Sequence, residues 1–128
     1  MDINEKSYNI RRACFNVHNI LGPGLLESVY ESALIYELEL QGFSTEKQVA
    51  LPVVYRDVNL GLGFRIDILV DNEIIIELKS VEMLNSVHKK QVLTYLKIAK
   101  KELGFLVNFN AKSLDKENLI RIINSKSV

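Results

Sequence analysis

The stretch of residues 60–79 changes from helical to strand periodicity, and it limits the fold more than any other part of the chain. Ile66, Ile68 and Val70 stand two apart, and Ile74, Ile76 and Leu78 repeat that spacing after Asp71-Asn72-Glu73. A period of two puts these six side chains on one face of a strand pair, and Asp-Asn-Glu is turn chemistry. The stretch therefore reads as two strands, residues 60–70 and 74–79, folded back as a hairpin. With the turn centred at Asn72, Asp67 falls opposite Glu77. Opposed residues on one face have Cβ atoms ~5 Å apart. Glu77 and Lys79 are two apart and share a face. Asp67, Glu77 and Lys79 are thus expected together, away from the apolar six.

Two ionised carboxylates this close repel each other unless positive charge lies between them. A hard divalent cation with oxygen ligands, Mg²⁺ or Mn²⁺, meets that need. Lys79 could then orient or deprotonate the attacking water, which is the equipment for metal-assisted hydrolysis of a phosphodiester. The spacing equally fits a surface ion-pair ladder in which Lys79 neutralises the two acids.

The flanks supply helices and further strands. Ile10, Ala13, Cys14, Val17 and Leu21 recur at helical spacing until Gly22-Pro23-Gly24 breaks the run. A second helix is expected over 25–41, stopped by Gly42. Residues 49–55 read as a strand in which Pro52 lacks a donor, so an edge strand or a bulge is expected. A third helix over 85–101 and strands over 103–109 and 118–123 follow. The order is α-α-β-β-β-α-β-β, an α/β (α+β) fold with a mixed sheet flanked by helices. At 128 residues the chain has room for one domain, 1–128.

Several side chains on these elements have ordinary roles. Glu27, early in the second helix, reads as a first-turn acid that complements the helix dipole. Tyr30 is one turn on, a core or rim aromatic. Gln91 and Tyr95 are four apart and face the same way on the third helix. His18 has no second His or Cys at metal spacing and reads as structural; His88 starts the basic stretch, where it could touch phosphate, and reads first as a solvated helix residue.

Charge and composition narrow the function classes. Sixteen bases balance sixteen acids, so coating nucleic acid by bulk charge is excluded. The balance hides an asymmetry. Residues 1–46 carry seven acids against three bases, whereas residues 88–101 carry Lys89, Lys90, Lys97, Lys100 and Lys101 and no acid. Cys14 is the single cysteine and has no internal disulfide partner. The first twelve residues hold no signal-peptide core, and no apolar run nears the ~20 residues of a membrane span. A cytoplasmic protein without a membrane is the expectation.

The combination Gly24-x-x-Glu27-x-x-Tyr30, Arg65-x-Asp67, Glu77-Leu78-Lys79 and Gln91-x-x-x-Tyr95 resembles the GxxExxY family of the PD-(D/E)XK nuclease superfamily. Leu21–Glu27 and Leu106-Val107-Asn108-Phe109 resemble that family as well. The resemblance implies a restriction-endonuclease-like fold and a Mg²⁺- or Mn²⁺-dependent nuclease acting on DNA, with RNA as the variant. It implies Asp67 and Glu77 as metal ligands, aided by the Leu78 carbonyl and by Glu27, and Lys79 as the catalytic lysine. Gln91 and Tyr95 are similar to the Q-x-x-x-Y element of RecB-like and Cas4-like nucleases. With Tyr30, Arg65, Lys89 and Lys90 they are the residues expected to meet substrate. Ile66 stands where the superfamily name has proline. The rival function is a non-catalytic module that keeps the fold and binds nucleic acid or a partner protein. Small size and zero net charge favour that rival, or the help of a homodimer or protein partner.

Overall fold

A computed structural model describes residues 1–125; residues 126–128, which the single-domain reading includes, lie outside the described residues. The elements are α1 (Ile3–Leu21), α2 (Glu27–Leu40), β1 (Thr45–Tyr55), β2 (Val58–Val70), β3 (Ile74–Lys79), α3 (Ser86–Ala99), β4 (Leu103–Asn108) and β5 (Leu119–Ile123). The five strands form one sheet in chain order. Only β3 and β4 run parallel, because α3 carries the chain across between them. The other neighbours are antiparallel. This is the mixed, helix-flanked sheet expected from the sequence.

Side-chain alternation along β3 sorts the two layers. Ile74, Ile76 and Leu78 pack with α1 and α2 residues such as Ile10, Val17, Leu34 and Leu38. Ile75 faces the other way and packs with Val92, Tyr95 and Leu96 of α3. Glu77 and Lys79, two and four positions on, follow Ile75 to the α3 side.

Pro52 lies on β1, an edge strand, and the register shifts between Pro52 and Val54. Both outcomes follow from its missing N–H. Two expectations need correction. First, α2 begins at Glu27, not at residue 25, because Leu26 is extended (φ −73°, ψ 151°) and serves as the N-cap. Second, Ile66 does not share a layer with Ile68. Ile66 packs on the α3 side and Ile68 on the α1–α2 side. Gln48, facing this point from β1, is left-handed (φ 52°), and no ladder pair forms between Lys47↔Ile68 and Val49↔Ile66. The strict period of two therefore fails on β2 at Asp67.

Candidate functional site

The β2–β3 ladder ends at Ile68↔Ile76, one pair short of the expected 67 and 77. Beyond it the Asp67 side chain takes over from the backbone. The Leu78 N–H donates to Asp67 Oδ2 at 2.8 Å, and the Asp67 N–H donates to Glu77 Oε1 at 3.4 Å. The two carboxylates are thus brought together by a reciprocal side-chain-to-backbone exchange rather than by cross-strand pairing. Asp67 is half-buried, whereas Glu77 is only 4% exposed.

That burial governs the electrostatics. Desolvation, then the neighbouring Asp67 charge, push the Glu77 carboxyl up to about 8, with Lys79 opposing. Among the described residues, ion pairs form only from Lys6 to Asp71 and Glu73, at 3.0 and 2.8 Å. The Asp67–Glu77 pair has no such partner, so the ladder in which Lys79 pairs with both acids is not what the fold builds. Such a pair can hold a proton or be neutralised by a cation. Two carboxylates, with water and substrate oxygens completing the shell, are what Mg²⁺ commonly takes from a protein, so these residues fit a divalent ion.

The remaining predicted residues divide. Tyr95 is 4% exposed and faces the pair: burial, then Glu77 and Asp67, push its phenol up to about 12. Its ring lies 5.1 Å from that of Phe64. Gln91 is half-buried one turn earlier on α3. Arg65, Lys89 and Lys90 are exposed. Glu27 is exposed at the start of α2. Among the described residues no three His, Cys, Asp or Glu side chains gather into one metal-holding group, so Glu27 is not drawn into contact with Asp67 and Glu77. At Leu78 it is the N–H, not the carbonyl, that meets Asp67.

Tyr30 is corrected from substrate contact to core. It has no exposed surface, and its ring stacks on Phe109 at 4.7 Å. Its hydroxyl donates to the Gly22 carbonyl at 2.6 Å and accepts from the Leu25 N–H at 3.1 Å. His18 is structural as expected, donating from Nε2 to the Ala111 carbonyl at 2.6 Å. His88 is not simply solvated: its Nδ1 accepts from the Asn85 N–H at 3.1 Å, closing a capping box at the start of α3.

Sequence reasoning missed the polar residues that fix the loop before α2. The Gly24 N–H donates to Asn110 Oδ1 at 3.0 Å, and Ser80 Oγ donates to the Leu25 carbonyl at 2.8 Å. Fully buried Asn108 bonds both backbone groups of Val81. These contacts tie the N-terminus of α2 to the chain just after Lys79. An Asn ending the otherwise apolar strand Leu103–Asn108 was the available signal, since a buried amide must find partners.

A family model described as the PD-(D/E)XK nuclease superfamily matches residues 4–122. No curated protein and no solved structure matches the chain. No helix among the described residues is long and apolar enough to cross a membrane.

Proposed function

Since the chain belongs to the PD-(D/E)XK nuclease superfamily, whose nucleases typically use divalent metals, we propose that it hydrolyses phosphodiester bonds of DNA with Mg²⁺ or Mn²⁺. RNA is the alternative substrate. Within the superfamily the pattern of Gly24, Glu27, Tyr30, Gln91 and Tyr95 supports a kinship with GxxExxY proteins and with RecB-like and Cas4-like nucleases. One observation carries the reading: a nearly buried carboxylate, Glu77, is held against Asp67 with no cationic side chain among the described residues paired to either.

In this reading Asp67 and Glu77 hold the ion, with Glu27 and the Leu78 carbonyl adding oxygens directly or through water. When bound, the ion supplies the charge that lets both acids ionise and that polarises the scissile phosphate. Lys79 follows Glu77 on the same face and orients the attacking water, its ammonium stabilising charge that develops at the phosphate. Tyr95 screens the pair from solvent on the α3 side, and Gln91 offers its amide to substrate. Arg65, Lys89 and Lys90 meet neighbouring phosphates as point charges.

The test is cleavage of single- and double-stranded oligonucleotides by the purified chain with Mn²⁺, with EDTA, and after Asp67→Ala. Mn²⁺-dependent cleavage that Asp67→Ala abolishes supports the reading. Equal cleavage by the variant overturns it. A second reading, a binding module that keeps the fold and acts with a partner or a second copy, is favoured by the solvent-facing position of Glu27 away from the acid pair. It predicts oligonucleotide binding without cleavage, unaltered by Asp67→Ala.

A further inference from the structure

Gln48 is the anomaly of the sheet. It is a non-glycine residue inside an eleven-residue strand, yet its φ is +52°. Left-handed backbone is costly for a residue with a Cβ and is rare outside turns. Nothing in its environment forces it by packing, since the residue is exposed. The distortion has a visible consequence. Gln48 leaves the ladder opposite Asp67, and its Nε2 donates to Asp67 Oδ1 at 3.4 Å and to Glu31 Oε2 at 2.7 Å. Glu31 lies four residues after Glu27 on α2, on the same helix face.

We infer that Gln48 is a positioning residue, its left-handed backbone setting one amide between the carboxylates of Asp67 and Glu31. Asp67 is then fixed at both oxygens, Oδ2 by the Leu78 N–H and Oδ1 by Gln48. One carboxylate so oriented presents a defined lone-pair direction beside Glu77. The same amide links the face of α2 that carries Glu27 to the strand that carries Asp67. Strain held at a functional position in return for geometry is a recurrent economy of proteins. Partners of this kind, one bond removed from a metal ligand, typically change metal affinity or activity 10–100-fold when lost. The inference rests on the reading of Asp67 as a ligand.

The experiment compares Gln48→Gly with Gln48→Ala in the full chain. Both remove the amide, but only glycine adopts φ +52° freely. Thermal unfolding without metal should therefore rank the glycine variant above the alanine variant, the reverse of the usual strand order. Both variants should bind Mn²⁺ about tenfold more weakly by calorimetry. The amide of Leu78 should exchange with solvent several-fold faster in both, because Asp67 loses its second anchor. Unchanged Leu78 exchange overturns the inference with or without metal. So does unchanged Mn²⁺ affinity in both variants when Asp67→Ala abolishes binding. If Asp67→Ala itself leaves Mn²⁺ affinity intact, the metal reading fails, and the exchange rate of Leu78 alone decides the role of Gln48.

Discussion

Raising the pH of the metal-free protein should weaken the fold through one side chain. Glu77 gives up its proton at about 8 in the folded chain, against an ordinary 4.5. Between those values the folded state holds a proton that the unfolded state lacks. Stability is then fully present below pH 4.5 and is lost as pH rises through 8, at up to about 1.4 kcal/mol per pH unit. The whole window is worth at most on the order of 5 kcal/mol, of which roughly 4 kcal/mol falls between pH 5 and 8.5. That is a large part of the 5–15 kcal/mol that holds a typical domain together. Urea unfolding in EDTA from pH 5 to 8.5 measures it. With a slope of about 2 kcal/mol per molar, the wild-type midpoint should fall by about 2 M. Glu77→Gln, which copies the shape of the protonated acid and cannot ionise, should remove this decline. Groups common to both chains cancel in the comparison. Mn²⁺ added at pH 8 should recover the wild-type midpoint, since it binds the folded state selectively. Parallel wild-type and Glu77→Gln midpoints across this range would refute the argument.

Lys79→Arg should keep the fold and Mn²⁺ affinity but lose at least about a hundredfold in cleavage rate, because a guanidinium is broad, planar and always protonated; near-wild-type cleavage removes the lysine from the mechanism. Oligonucleotide affinity should fall with salt, and replacing Lys89 or Lys90 with alanine should each lower the slope of log affinity against log salt by about one; a slope of zero would end the assignment of α3 to the nucleic-acid path. Tyr30→Ala should cost about 3–5 kcal/mol by emptying a fully buried site, and Tyr30→Phe about 1–2 kcal/mol by orphaning the Gly22 carbonyl and the Leu25 N–H; chemical denaturation of the two variants separates the ring from its hydroxyl.

How far the sequence carried the fold depended on the source of each signal. The β3 strand Ile74–Lys79 matches its expected bounds at both ends, because a β-branched run abuts a turn of Asp71, Asn72 and Glu73. The first four residues of β1, Thr45 to Gln48, were not foreseen as strand: Glu46, Lys47 and Gln48 are exposed and carry no apolar alternation. The nearness of Asp67 and Glu77 was legible from the centre of the turn alone. Its actual form, a side chain replacing a ladder bond, was not, because it needs β2 to change layers between Ile66 and Ile68. No residue type announces that change. Gln48 is a common strand-neutral residue, and its left-handed backbone belongs to the tertiary structure.

The Gly24, Glu27, Tyr30 spacing shows the same division inside a single pattern. Three residues at intervals of three invite one chemical role, but physically they do three things. Gly24 takes φ +97°, a conformation other residues resist, and so lets the chain turn from α1 into α2. Tyr30 points inward and holds that turn by its hydroxyl, while its ring is fixed on Phe109. Glu27 is exposed at the first position of α2. The hydroxyl of Tyr30 takes the Leu25 N–H, a donor that has no partner within the helix that follows. Three residues before the buried Tyr30, Glu27 stands about 60° from it around the helix axis. The buried tyrosine therefore sets which face of α2 carries the acid, and the glycine turns the chain into that helix. Ser80 and Asn110, bonded to the same loop, tie it to the end of β3 where Lys79 sits.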